Sequence, residues 1–113
     1  MNARRADEGV ALATVIRALA NEDRLRIVSE IAAALASGAV EGLTIAESAA
    51  RVEISRFSAS RHLGILREAG VVRRRQVGVR SLHSLDPVAF ELVEDWLYPL
   101  VDALDARRAA DVA

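Results

Sequence analysis

The sequence predicts a mainly α-helical domain that carries one β-hairpin, with its elements in the order α-α-α-α-β-β-α. Apolar residues recur every three or four positions through most of the chain, as they do on one face of a helix. Between Val71 and Leu85 this spacing gives way to β-branched residues and arginines around a central glycine, which is typical of a hairpin. A length of 113 residues suits one domain rather than two.

The first two helices are predicted from apolar spacing and a cap. We interpret residues 1–6 as a flexible N-terminal arm and residues 7–113 as a single domain, whose first helix runs from about Glu8 to Ala20. Asn21 is a good N-cap for the second helix, which ends near Ser37-Gly38. The stripe predicted to be buried on that helix is Leu25, Val28, Ile31 and Leu35.

A short helix, a tight turn and a second helix follow. Thr44 and Glu47 have the spacing of a capping box, which starts a helix from Ile45 to Val52. Ser55 then caps helix 56–69, and Gly70 ends it. The residues of this second helix that are predicted to be buried are Ala59, Leu63 and Leu66.

The predicted hairpin turns near Val77-Gly78. Asp86-Pro87 then places an N-cap before a proline at the first helical position, where its missing N–H is tolerated. The last helix reaches about Ala109, and we expect a kink at Pro99. This order of elements is that of a winged helix-turn-helix with an additional helix at each end.

Charge is segregated along the chain. The net charge is −1, but residues 51–80 contain eight arginines and two acids, a net of +6, while the rest carries −7. Eight like charges in one stretch favour an anionic partner, the alternative being a solvated charged surface. Absence of cysteine excludes disulfides and thiolate metal sites. The longest apolar run, residues 31–36, is too short to cross a bilayer, and no secretory signal is evident, so we expect no membrane partner and a cytoplasmic location.

The chain resembles the ArsR/SmtB family of bacterial winged-helix transcription regulators over roughly residues 10–105. The resemblance lies in the segments "ALANEDRLRIVSEI", "LTIAESA", "SASRHLGILREAGVVRRRQVGVRSLHSLDP" and "VEDWLYPLVDAL". It implies a homodimer built on the first and last helices, usually a repressor that an inducer releases from its operator. The residues that we assign to the dimer interface are Leu12, Ile16, Leu92, Trp96, Leu100 and Leu104.

The resemblance also implies that helix 56–69 enters the major groove of an operator, an inverted repeat of double-stranded DNA. Small polar residues and arginine on its outward face suit base edges and phosphates. We assign DNA binding to Ser55, Arg56, Phe57, Ser58, Ser60 and Arg61 on this helix and its cap, and to Arg73, Arg75 and Arg80 on the wing. Arg73 and Arg75 share one face of the hairpin and are expected on the backbone or in the minor groove.

The chain departs from the family in its turn and on its recognition helix. Glu53 stands where a glycine is usual, at a cost of about 1 kcal/mol if the position needs a positive φ. Phe57 replaces a small polar reader, and either contacts thymine methyl groups or folds back onto the body. Gly64 occupies a place often held by lysine.

A second departure concerns the effector. The third helix lacks the cysteines and the last helix lacks the histidines with which family members bind metals, so we predict no metal site and no cofactor. We interpret His62 and His83 as packing or backbone-bonding residues. Trp96 either packs in the dimer core or borders a small apolar pocket for an effector.

Two functions therefore compete. The first is a dimeric DNA-binding regulator, most simply a repressor, and the second is a winged-helix module that binds an acidic protein through the same basic face. Ser60, Arg61 and Gly64 suit a DNA groove, whereas the aromatic Phe57 favours a protein partner. We expect no enzyme, because the sequence contains no plausible catalytic triad and no phosphate-binding loop.

Overall fold

The computed structural model describes the backbone of residues 2–38 and 41–112, and the side chains of residues 11–38 and 41–112. The predicted order of elements is confirmed. The helices and strands are α1 (Asn2–Leu19), α2 (Glu22–Ala36), α3 (Ile45–Val52), α4 (Arg56–Glu68), β1 (Val72–Val77), β2 (Arg80–Leu85) and α5 (Pro87–Val112). With its antiparallel hairpin after α4, the chain is a winged helix-turn-helix.

Helix α1 begins earlier than the sequence analysis predicted. The prediction placed its start near Glu8 after an arm over residues 1–6, whereas the helix begins at Asn2. Alanine and arginine, which make up residues 3–6, are among the best helix formers, so the helical backbone extends through them. The apolar spacing marked only the later part of this helix.

Helix α2 has the predicted cap but a different buried face. The Asn21 side chain accepts a hydrogen bond from the backbone N–H of Arg24 at 3.0 Å. The fully buried positions are Ile27, Ile31 and Ala34, whereas Leu25 is 50% exposed. The prediction that Leu25 is buried is wrong, because the helix turns its Ile27–Ala34 side toward α3 and α4 and leaves Leu25 beside an open groove.

Helices α3 and α4 form the helix-turn-helix unit. The capping box is present: the Thr44 hydroxyl accepts from the backbone N–H of Glu47, and the Glu47 carboxylate accepts from the backbone N–H of Thr44. Between the helices, Glu53 adopts the left-handed conformation, with φ 61° and ψ 45°. The condition stated in the sequence analysis is met: the position has a positive φ, and a side chain occupies a place that favours glycine.

The wing is joined to the body by a buried histidine. His83, on β2, exchanges two backbone hydrogen bonds with Leu43 at 2.8 and 2.9 Å, and its Nδ1 lies 3.0 Å from the Leu43 carbonyl oxygen. Burial lowers the pKa of His83, and the positive charges of Arg67 and Arg74 lower it further. The interpretation of His83 as a packing and backbone-bonding residue is confirmed.

Gly42 allows the loop segment that carries Leu43 to lie close to the wing. Its φ is +143°, and a Cβ at this position would lie 2.5 Å from the His83 carbonyl oxygen. A side chain here would push the loop away from β2. The glycine therefore permits the backbone contact that sets the wing against the helices.

Helix α5 runs through Pro99 as one element from Pro87 to Val112. Its start is capped by Asp86, whose carboxylate accepts from the backbone N–H of Val88 at 3.0 Å. Ala89 is its one fully buried residue, and Phe90 and Val93 pack partly against the core. Most of α5 therefore lies outside the hydrophobic core of the described residues.

We expect replacement of the strained turn residue to stabilise the chain. Glu53→Gly removes an exposed side chain from a residue whose backbone is in the left-handed conformation. The substitution should raise the free energy of unfolding by about 1 kcal/mol, as measured by urea denaturation. As the matched control, Ala33→Gly introduces glycine at an exposed right-handed position of α2 and should lower it by about 1 kcal/mol. Equal losses in the two variants would contradict this account.

Candidate nucleic-acid interface

Helix α4 presents a narrow buried stripe and a wide exposed face. Ala59, Leu63 and Leu66 are at most 1% exposed and lie in the core. On the same helix and at its cap, the exposed residues assigned to the interface are Ser55, Arg56, Phe57, Ser60 and Arg61, while Ser58 is half-buried. The sequence-predicted residues of the first half of α4 are thus brought together on one surface.

The two serines at the start of α4 are partly used by the helix itself. The Ser55 hydroxyl accepts from the backbone N–H of Ser58 at 3.0 Å and donates to the Ser58 hydroxyl at 3.1 Å. This cap fixes where the helix begins. Both serines are predicted to bind DNA, and the structure gives them a capping role as well.

Phe57 extends into solvent. Its side chain is 80% exposed, so the alternative in which it folds back onto the body is wrong. It lies almost opposite Ala59, Leu63 and Leu66 on the helix, and therefore cannot reach the core without moving α4.

The orientation of α4 is held by contacts to α2 that the sequence analysis did not identify. The Nδ1 of His62 lies 3.3 Å from an Arg24 guanidinium nitrogen, and its Nε2 lies 3.9 Å from an Asp23 carboxylate oxygen. Arg24 also donates to the Ala18 carbonyl at the end of α1. One arginine therefore links three helices, and His62 bonds side chains rather than the backbone.

The wing places three arginines on one face of the hairpin. In the register of the strands Arg73 pairs with Ser84, Arg75 with Leu82, and Val77 with Arg80. Because alternate residues of a strand share a face, the side chains of Arg73, Arg75 and Arg80 lie on the same side. The predicted shared face of Arg73 and Arg75 is confirmed.

Each of these three arginines forms an ion pair within the chain. Arg73 lies 3.2 Å from the Asp86 carboxylate, and Arg80 lies 3.0 Å from the Glu47 carboxylate. Arg75 contacts the carboxylate of Glu41. All three arginine side chains remain more than half exposed, so the pairs are open to competition from solvent and from other anions.

The carboxylates of two pairs are held in the ionised form. The pKa of Glu47 is lowered, first by its hydrogen bond from the Thr44 backbone and more weakly by Arg80. The pKa of Asp86 is lowered by its bond from the Val88 backbone, with a smaller contribution from Arg73. At neutral pH these acids therefore partly neutralise the positive charge of the wing.

Four other arginines of this region lack such a partner among the side chains that the structure describes. Among the residues whose side chains the structure describes, no carboxylate lies within ion-pair distance of the arginines at positions 56, 61, 67 and 74. Arg56 and Arg61 belong to the predicted interface, whereas Arg67 and Arg74 were not assigned to it. The unpaired arginines thus lie on α4 and on the face of β1 opposite to Arg73 and Arg75. The sequence alone could not distinguish them from the paired arginines.

A second surface is apolar and lies on α5. Trp96, Leu97, Leu100 and Val101 are 45–50% exposed, and Leu104 is 58% exposed. Ile16 of α1, the helix that packs against α5, is 39% exposed, while Leu12 and Leu92 are half-buried. The residues assigned to the dimer interface therefore border or form one partly exposed apolar face.

The described part of the chain presents neither a metal-binding cluster nor a membrane-spanning helix. Within residues 11–38 and 41–112, no group of three or more histidine, aspartate or glutamate side chains is placed to hold a metal ion. None of the helices in the described part of the chain combines the length and apolar character needed to span a membrane.

Comparison with known proteins gives one family and many structural relatives. A family model described as a helix-turn-helix domain matches residues 19–75. An ArsR-like transcriptional regulator from Rhodococcus sp. RHA1 is 25% identical, with a TM-score of 0.65 over 89% of each chain. The search of curated proteins gave no match.

Two other solved structures are informative. The homodimeric winged helix-turn-helix DNA-binding domain of Mb0332 from Mycobacterium bovis, a possible ArsR-family transcriptional regulator, is 26% identical. Its TM-score is 0.64, and the match covers 94% of this chain and 88% of that one. The cadmium metal-sensor CMTR from Mycobacterium tuberculosis is 27% identical, with a TM-score of 0.55 over 73% and 80% of the two chains.

The family match covers α2, α3, α4 and the first four residues of β1, which together with the intervening loops make half of the sequence. The structural matches extend the likeness to most of the chain, including the additional helices. The chain therefore belongs to the helix-turn-helix domain family and is an ArsR/SmtB-like winged helix-turn-helix protein of the DNA-binding, transcription-regulating class.

Proposed function

We propose that the protein is a homodimeric repressor that binds an inverted repeat in double-stranded DNA through α4 and the wing. The observation that supports this most strongly is the exposed first half of α4, where Arg56 and Arg61 lack a carboxylate partner among the described side chains. An exposed α-helix fits the major groove of DNA, and guanidinium groups without a carboxylate partner can bind guanine edges or phosphates.

The residues of α4 divide into two roles under this proposal. Arg56 is in the first turn, where the positive end of the helix dipole adds to its charge, so it suits a phosphate. Arg61 and Ser60 lie further along the exposed face and suit base edges. The wing arginines then contact the flanking backbone, after exchanging their own carboxylates for phosphates.

The dimer is supported by the exposed apolar face of α5. A monomer that leaves Trp96, Leu97, Leu100, Val101 and Leu104 partly in water exposes a large contiguous apolar surface, which marks an interaction site. The neighbour from Mycobacterium bovis is described as homodimeric. A two-fold symmetric pair would carry two copies of α4, as an inverted repeat requires.

The signal that regulates the protein is proposed to be something other than a thiolate-bound metal. A structural neighbour is described as a cadmium sensor, but this chain contains no cysteine. Soft metals such as cadmium select thiolate ligands. We therefore propose a non-metal effector or constitutive binding.

The exposed Phe57 gives a specific reason to keep the protein-binding alternative as an outcome of the tests. An aromatic side chain at the centre of an exposed surface is common in protein interfaces. In that case the basic face would bind an acidic partner, and no duplex would be preferred over another.

Arg61 is predicted to contribute both affinity and base preference. Arg61→Ala should bind an operator selected from random duplexes about tenfold more weakly, because a bidentate base contact is worth about 1–3 kcal/mol. The variant should also distinguish less between the bases at one base pair of each half-site. Arg75→Ala should weaken binding to all duplexes alike. Arg108→Ala, far along α5, is the control and should bind as the parent does. Parental binding by both test variants would contradict the assignment.

Leu100 is predicted to lie in the dimer interface. Leu100→Asp places a charge on the apolar face of α5 and should give a monomer in sedimentation equilibrium at micromolar concentration. Leu25→Asp changes a similarly exposed leucine on α2 and should leave the dimer intact. A dimer mass for Leu100→Asp would place the interface elsewhere.

Glu41 is predicted to compete with DNA for Arg75. Glu41→Gln removes the carboxylate that contacts Arg75 and should raise DNA affinity about threefold or more at low salt, with a smaller gain at high salt. Glu91→Gln removes the same charge from the exposed surface of α5 and serves as the control. Lower affinity in Glu41→Gln would show instead that the ion pair orients Arg75 for binding.

A further inference from the structure

We propose that Phe57 is a specificity-determining residue that contacts the 5-methyl group of a thymine in the major groove of each half-site. This inference rests on the proposed function, since it names one base feature that the α4 surface reads. It concerns one side chain and one methyl group, so it can fail while DNA binding itself stands.

The first observation is the exposure of an aromatic ring that has no polar atom. Phe57 is 80% exposed, whereas the other phenylalanine of the chain, Phe90, packs against the core. Trp96 and Tyr98 are also exposed, but each carries a polar group that water can satisfy. Burying the Phe57 ring against a partner is therefore more favourable than leaving it in water.

The second observation is the position of Phe57 on the helix. It is the second residue of α4, and Arg61 and Gly64 follow it at spacings of four and three, so the three form one outward stripe opposite the buried one. The N-terminal half of such a helix is the part that reaches base edges in the major groove. Phe57 thus leads the stripe that carries Arg61.

The third observation is Gly64, for which packing within the chain gives no reason. Apart from its chain neighbours and the nearby backbone of its own helix, a Cβ at this position would meet no described atom within 4 Å, and glycine inside a helix costs about 1 kcal/mol relative to alanine. Because Gly64 has no side chain, nothing projects from the helix surface at this point beside Arg61. A partner can therefore approach the α4 backbone closely, which lets the side chains at its start extend further into a groove.

The chemistry of the groove then identifies the contact. A phenyl ring neither donates nor accepts conventional hydrogen bonds, so it cannot distinguish bases by their polar groups. In the major groove the thymine methyl is the apolar group that a base edge presents. A ring that contacts it discriminates thymine from cytosine and from uracil, and treats 5-methylcytosine like thymine.

Removal of single methyl groups tests this directly. A site is first selected from random duplexes with the full chain, and each thymine is then replaced in turn by uracil, which keeps every hydrogen-bonding group. We expect one position in each half-site at which the parent binds about fourfold more weakly, the factor that corresponds to one buried methyl group. At that position 5-methylcytosine should bind better than cytosine by a similar factor.

Phe57 variants assign the effect to the residue. Phe57→Ala should bind the thymine site more weakly and lose the difference between thymine and uracil at that position. Phe57→Leu should keep part of the difference, because it remains apolar. Leu25→Ala, which removes another exposed apolar side chain, should retain the parental profile. Circular dichroism should show the same helix content in all variants, since Phe57 lies outside the core.

The outcomes separate the inference from the proposed function. A parent that selects a site but shows no loss at any uracil, or a Phe57→Ala variant that keeps the same methyl dependence, overturns the role of Phe57 and leaves DNA binding in place. A parent that prefers no duplex overturns both, and would favour a protein partner for this surface.

Discussion

The burial of three small or medium apolar residues on α4 is the contact on which the rest of the structure depends. Ala59, Leu63 and Leu66 place the helix against α2, α3 and β1 along a narrow stripe. Because the stripe is narrow, six of the thirteen residues of α4 remain exposed. Arg24 and His62 then set the rotation of α4 relative to α1 and α2. The exposed face is therefore a consequence of how little of this helix the core requires.

Electrostatic partnership divides the positive surface into two parts. On α4 the arginines of the first half lack carboxylate partners among the described side chains, whereas Arg73, Arg75 and Arg80 of the wing each pair with a carboxylate. Exposed ion pairs of this kind are weak and exchange readily. The carboxylates therefore neutralise part of the positive charge of the wing. Its attraction for an anion is smaller than the number of its arginines indicates.

The first and last helices differ from the helix-turn-helix unit in burial and in charge. Helix α1 contributes Val15 and Ala18 to the hydrophobic core, whereas α5 contributes only Ala89 as a buried residue among those described and leaves an apolar face partly in water. The residues of that face lie outside the basic segment 51–80. Acidic residues flank them in the sequence and give residues 81–113 a net charge of −5. The surface proposed to bind DNA and the surface proposed to form the dimer thus differ in charge.

Much of the fold could be predicted from local sequence signals, because caps, turns and apolar spacing act over a few residues. Asn21, the Thr44–Glu47 box and the change of spacing after Gly70 located the elements correctly, as did the helix-turn-helix order. Tertiary packing decided the rest. It exposed Leu25, joined His83 to Leu43 and paired the wing arginines with acids more than ten residues away, since such contacts depend on which elements become neighbours.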